Sequence, residues 1–116
     1  MRQVAIEIAN ALYYRKARKL SNTETDGKSV WLHGNKIAEL SSNGWLRFTL
    51  CGWNSVTTRS RLNDLFFFLG CSAHIYTKNY DCYLSVNGKE VADFDEYSFK
   101  SVRVNPNRNA YALKRC

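Results

Sequence analysis

Residues 31–63, WLHGNKIAELSSNGWLRFTLCGWNSVTTRSRLN, constrain this chain more than any other stretch. Two turn signals, Gly34-Asn35 and Ser42-Asn43-Gly44, separate short runs with alternating apolar residues. Glycine and asparagine tolerate positive φ, so the chain can reverse within two or three residues at each signal. A segment that reverses so often is an antiparallel meander and not a long helix. The run 45–51 sorts most cleanly: Leu46, Phe48 and Leu50 fall on one face, and Trp45, Arg47, Thr49 and Cys51 on the other. The first set is expected in the core, the second on a partly solvated face. Gly52-Trp53-Asn54 then turns the chain into a helix with Thr57 or Thr58 as its expected N-cap. That helix is expected to reach about Leu69, with Leu62, Leu65, Phe66 and Leu69 on one face and Gly70 as its C-terminal cap. Phe67 and Phe68 widen the apolar arc; a well-covered core helix accounts for them, and an exposed aromatic patch is the alternative.

The flanks complete an α+β pattern. In 3–18, Val4, Ile8, Ala11 and Leu12 recur at helical spacing. The helix is expected to end in Arg15, Lys16, Arg18 and Lys19, where cations meet the negative end of its dipole. The dipole accounts for one or two such residues more easily than for four. Residues 21–28 read as a loop or an irregular edge ending in an Asp-Gly turn, with strands at 29–33 and 36–41. After the helix, 72–77 and 81–86 read as strands around Lys78-Asn79-Tyr80. Asn87-Gly88 is the strongest hairpin signal, a type I′ turn that would pair Val86 with Lys89 and Leu84 with Val91 on 89–94. Alternation over 97–104 adds a last strand, and Pro106 ends regular structure. The expected architecture is a single α+β domain over 1–116: a helical segment at 1–20, an α+β core at 29–104 and a basic tail at 105–116. Its antiparallel sheet of about five or six strands packs on the central helix.

The formal net charge is +7, which favours polyanionic partners: nucleic acid, a nucleoprotein or an acidic protein surface. The charge is polarised. Arg15, Lys16, Arg18 and Lys19 cluster near one end, while Lys100, Arg103, Arg108, Lys114 and Arg115 follow the last acid, Glu96. Four cysteines, Cys51, Cys71, Cys82 and Cys116, show no paired metal-ligand spacing. Cys71 and His74 alone are suitably spaced, without a second pair. The cysteines therefore read as free thiols of a reducing cytosol, with Cys51 and Cys71 expected to be buried. No apolar run approaches membrane-spanning length. Neither a cofactor motif nor a catalytic constellation stands out: His33 has no nucleophile or carboxylate at adjacent spacing, and a structural histidine closing a hairpin is the better reading. His74 reads as a half-buried sheet residue, and Asp93, Asp95 and Glu96 as a solvated acidic turn lacking the grammar of a calcium loop.

The pieces LHGNKIAEL and GWNSVTTRSRLN resemble a pattern shared by small tailed-bacteriophage proteins, mostly of unknown function. The matching residues are Leu32, His33, Gly34, Asn35, Ile37, Ala38, Gly52, Trp53, Ser55, Thr57, Thr58, Arg61, Leu62 and Asn63. Asn22-Thr23 resembles an upstream "GNT", with Ser21 where glycine would stand, and Asp81-Cys82-Tyr83-Leu84 occupies the place of a "WYL" segment without its Trp. The resemblance spans roughly 21–86. It implies a phage product acting in the bacterial cytoplasm of its host and brings no activity with it.

Two surfaces qualify as partner or anion sites besides the basic ends. Thr57, Thr58, Arg59 and Arg61 bring hydroxyls and guanidinium forks to a helix N-terminus, a combination that suits phosphate or carboxylate; simple capping is the bland account. The Trp45, Arg47 and Thr49 face interleaves aromatic and basic groups, as sheets that bind nucleic acid do, and an ordinary amphipathic sheet looks the same. Asn63, a poor helix former, is expected to tether a neighbouring strand or loop. The function expected from these features is a non-catalytic accessory protein that binds a host protein or nucleoprotein complex and modulates it, without a membrane, metal or cofactor. Direct DNA or RNA binding is the alternative.

Overall fold

The structure, a computed structural model, describes residues 3–105. In chain order the elements are α1 (Gln3–Tyr13), β1 (Arg18–Leu20), β2 (Thr23–Thr25), β3 (Ser29–Leu32), β4 (Asn35–Leu40), β5 (Trp45–Phe48), α2 (Val56–Phe68), β6 (Ala73–Lys78), β7 (Asp81–Val86), β8 (Lys89–Glu90) and β9 (Lys100–Arg103). They form an antiparallel six-stranded sheet, β1-β2-β3-β4-β5-β9, and a three-stranded sheet, β6-β7-β8. The α+β expectation holds, with the later strands divided: β9 leaves its chain neighbours and pairs with β5, Leu46 opposite Val102.

One core unites the layers. Leu46, Phe48 and Leu50 are fully buried, as their alternation requires, together with Leu62, Leu65, Phe66 and Leu69 of the central helix. Phe48 and Phe66 meet edge to face at 4.7 Å between ring centroids. Ile8 and Leu12 of α1 join from one side, and Ile75 and Leu84 of the small sheet from the other. Each large side chain so enclosed contributes roughly 1.5–3 kcal/mol. Phe68 lies in this core, whereas Phe67 remains 49% exposed.

Local chemistry departs from the sequence reading at several places. The first helix stops at Tyr13, not near 18, because Arg15 takes a left-handed φ of 58° and Lys16 N–H closes the end on Ala11 O at 2.8 Å. Arg18 and Lys19 consequently lie on edge strand β1, not on a helix end. The expected loop 21–28 contributes β2, whose Thr23 and Thr25 are buried. The tight turn after β3 is His33-Gly34, with φ of 52° and 80°, and not Gly34-Asn35. The cap of α2 is Ser55, whose Oγ accepts from Thr58 N–H at 3.2 Å, so neither Thr57 nor Thr58 is the N-cap. At its other end Gly70 N–H bonds Phe67 O and Cys71 N–H bonds Phe66 O, a Schellman closure. Asn87 and Gly88 carry φ of 54° and 80°, as a type I′ turn needs, and Val86 pairs with Lys89. Asn63 tethers β6 as expected. Cys51 is half-buried and His74 is exposed, each more open than expected, while Cys71 is buried; Cys51, Cys71 and Cys82 are not joined to one another. Arg108, Lys114, Arg115 and Cys116 lie outside the described residues.

Candidate functional site on the open sheet face

Among the described residues, helices cover one face of the large sheet and leave the other open. Strand alternation places on it Lys19, Glu24, Trp31 and Lys36 in one row, and Glu39, Arg47 and Ser101 in the next. Trp45 and Arg103 stand opposite each other at the β5–β9 end. The Arg103 guanidinium carbon lies 5.7 Å from the Trp45 ring centroid, and that of Arg47 lies 4.2 Å from the Phe99 centroid. Trp45 is 40% exposed and Phe99 57%. Two Arg–aromatic pairs therefore stand side by side in solvent, each worth about 0.5–1 kcal/mol at such exposure. A guanidinium held near a ring by cation–π attraction keeps N–H groups that can bond a carboxylate or phosphate. At the Arg47–Phe99 pair, Lys36, Ile37, Ala38, Glu39, Arg47 and Phe99 line a depression of about 170 Å³. Glu39 is held there by Lys36 Nζ at 2.6 Å, and that hydrogen bond lowers its carboxyl below the usual range.

The other sequence-derived candidates are distributed differently. Thr49 is buried at 1% exposure, its N–H bonded to Ile37 O, and leaves the Trp45–Arg47 face. The anion corner is not assembled as expected. Thr58 and Arg61 are buried, Thr58 Oγ1 lies 2.9 Å from Ser55 Oγ, and Arg61 Nη2 points at Asn22 Oδ1 at 3.4 Å. Arg59 Nη1 donates to Asn54 O at 2.9 Å and also to the Asn54 side chain. Thr57 stays half-buried on the first turn. In the N-terminal cluster, Arg15 donates to Leu40 O and Ser41 O, both at 2.9 Å, and so locks the end of α1 to the end of β4. Arg18 forms an ion pair with Glu7 at 2.8 Å, while Lys16 and Lys19 are exposed. The sequence reading missed Phe99 and Lys36. Phe99 lies inside the alternating run 97–104, but only the pairing of β9 with β5 brings it beside Arg47.

No group of three or more His, Cys, Asp or Glu among the described residues could hold a metal ion, and no helix among them is long and apolar enough to cross a membrane. Residues 1–105 match the model of the Kyanoviridae Gp96 protein family, and the chain belongs to that family. No curated protein matches the chain, and no solved structure does.

Proposed function

We propose that this small phage protein, a member of the Kyanoviridae Gp96 family, is a non-catalytic accessory protein. It binds a host protein or nucleoprotein complex through the open face of its large sheet and modulates that target in the bacterial cytoplasm. The observation that carries the reading is the two exposed Arg–aromatic pairs, Arg103 with Trp45 and Arg47 with Phe99. Trp and Arg are over-represented among residues that dominate binding energy. A guanidinium already ordered by a ring loses less freedom on docking than one on a free side chain. The net charge of +7 makes the complementary surface acidic.

The test is recovery of partners from host lysate, with and without nuclease, by the wild type and by Arg47→Glu/Arg103→Glu. The reading requires a specific host protein that survives nuclease and moderate salt and is lost with the double variant. Recovery of nothing specific, or of the same protein by both, defeats it. A second reading is direct binding of single-stranded nucleic acid, favoured by the interleaving of Trp45 and Phe99 with cations on an open sheet. It requires affinity that falls log-linearly with salt.

A further inference from the structure

The two segments that carry the sequence pattern, LHGN and GWNSVTT, come together around a second site that the open sheet face leaves unused. On the helix side of the sheet, at the turn between β3 and β4, lies a cavity of about 180 Å³. Its floor is apolar, made by the buried side chains of Leu32, Ile37 and Leu50. Polar groups from both segments complete the lining, chief among them His33 and Asn35 on the hairpin, with the Ser55 and Thr58 hydroxyls bonded to each other on the α2 side. Trp53 also lines the cavity and is 60% exposed.

Three features define what fits. Trp53 lines the cavity while remaining 60% exposed, so its side chain is accessible to an incoming group. An exposed indole beside an apolar floor offers a face on which a flat ring can stack. The cavity is smaller than the ~300–1,000 Å³ typical of drug-sized ligands, so it admits one ring system. Among the described residues no Asp, Glu, Lys or Arg lines it, so the lining suits a neutral group.

The polar edge is organised from behind. Asn22 Oδ1 accepts from Thr23 Oγ1 at 2.9 Å and from Arg61 Nη2 at 3.4 Å, which turns the Asn22 amide nitrogen toward His33 Nε2 at 3.5 Å. The His33 ring and the Asn35 amide both carry hydrogen-bonding nitrogens, and the amide adds an acceptor oxygen, so the edge of an inserted ring can be met by donor and acceptor groups. A planar neutral ring with apolar faces and a donor–acceptor edge describes a nucleobase.

We propose that this cavity binds a single nucleobase, stacked on Trp53 and read at its edge by His33 and Asn35. A free nucleoside and a nucleotide within a single strand both present such a base, and the site lies on the opposite side of the sheet from the Arg–aromatic pairs. The test is titration of the full chain, followed by indole and imidazole NMR signals, with adenosine, guanosine, cytidine and uridine, and separately with the matching single-stranded pentanucleotides. At least one base is expected to saturate and to shift the Trp53 and His33 signals. Trp53→Ala should weaken it at least tenfold, Trp53→Phe should recover part of the loss, and Arg47→Glu/Arg103→Glu should leave nucleoside affinity unchanged. Saturation by a nucleoside identifies the free source, and saturation by the strand alone, lost in Trp53→Ala, the polymeric one. The proposal is overturned if neither set shifts these signals, if Trp53→Ala binds as the folded wild type does, or if indole and phenol saturate the site while every base fails. Because the sheet-face variant is read separately, failure here leaves the partner-capture result intact.

Discussion

Asn63 holds the small sheet to the central helix, and its removal tests how the two sheets share one core. Its amide nitrogen donates to Ile75 O at 2.8 Å, and its Oδ1 accepts from Ile75 N–H at 2.7 Å. Ile75 lies on β6, the outer strand of its sheet, and its side chain is 1% exposed. The amide therefore acts as a one-residue extension of the sheet, satisfying a donor and an acceptor that face the helix. Asn63→Ala removes both hydrogen bonds and strands a donor and an acceptor whose desolvation costs roughly 1–3 kcal/mol apiece. Partial hydration at this half-buried site trims the sum to about 2–4 kcal/mol. Alanine returns about 0.5 kcal/mol in helix propensity, which leaves a loss of roughly 1.5–3.5 kcal/mol. With a urea m-value of about 1–3 kcal/mol/M, the unfolding midpoint should fall by about 0.5 M or more without a change in slope. Asn63→Leu should cost a similar amount, since the loss arises from orphaned polar groups and not from volume. Hydrogen exchange at the Ile75 amide should accelerate in both variants. Midpoints within about 0.3 M of wild type, with Ile75 still protected, would refute the reasoning.

Three further outcomes follow from the local chemistry. Gly27→Ala should lower the melting temperature by the equivalent of more than about 1 kcal/mol. Its φ is +95°, and a Cβ there would lie 2.7 Å from the backbone carbonyl carbon of Arg15, which cannot swing aside. Ser55→Ala should cost about 1 kcal/mol in chemical denaturation, while Thr57→Ala should be nearly silent, because only Ser55 caps the helix. Asp26 accepts from Ser29 N–H at 2.8 Å and Lys28 N–H at 2.9 Å, and the bond from Ser29, then that from Lys28, holds its carboxyl below its ordinary value. The stability it contributes is complete above the unfolded value of about 3.9 and fades as pH falls through the lower folded value. Asp26→Asn should therefore flatten that part of the acid limb in a melting-temperature–pH profile; an unchanged limb would count against the turn's role.

What was legible in the sequence was local. The alternation of 45–51 sends Leu46, Phe48 and Leu50 inward, and the spacing of Leu62, Leu65, Phe66 and Leu69 marks the buried helix face. Both signals arise within one element, where period alone decides. Asn63 was legible for the opposite reason: a poor helix former inside a helix needs a partner elsewhere. The division into two sheets was not legible, because β9 finds β5 across an intervening helix and hairpin, and no local pattern encodes that pairing. β1 and β2 are three residues each and polar in sequence, so neither has a recognisable strand period; Thr23 and Thr25 are buried by tertiary context. The Ser55 cap and the His33-Gly34 turn differ from expectation by a shift of a few positions, within which several residues can serve as cap or turn.

The same distinction separates scaffold charge from charge available to a partner. Unpaired sheet edges invite other strands, and Lys or Arg on them discourages such pairing. Both outer strands of the large sheet are basic: Arg18 and Lys19 on β1, Lys100 and Arg103 on β9. Edge protection therefore accounts for much of the polarity seen in the sequence. Arg15 is committed to backbone carbonyls and Arg18 to Glu7. Arg47 is different, because it stands on β5, flanked by β4 and β9, where no edge needs protecting. Its cross-strand neighbour Glu39 is bound to Lys36, and its guanidinium instead lies over Phe99. Arg47 is thus the cation that scaffold requirements explain least. If the open face binds an acidic target, Arg47→Gln should weaken capture more than Arg18→Gln while costing under about 1 kcal/mol of stability. Equal effects of the two would return the charge to solubility and edge protection.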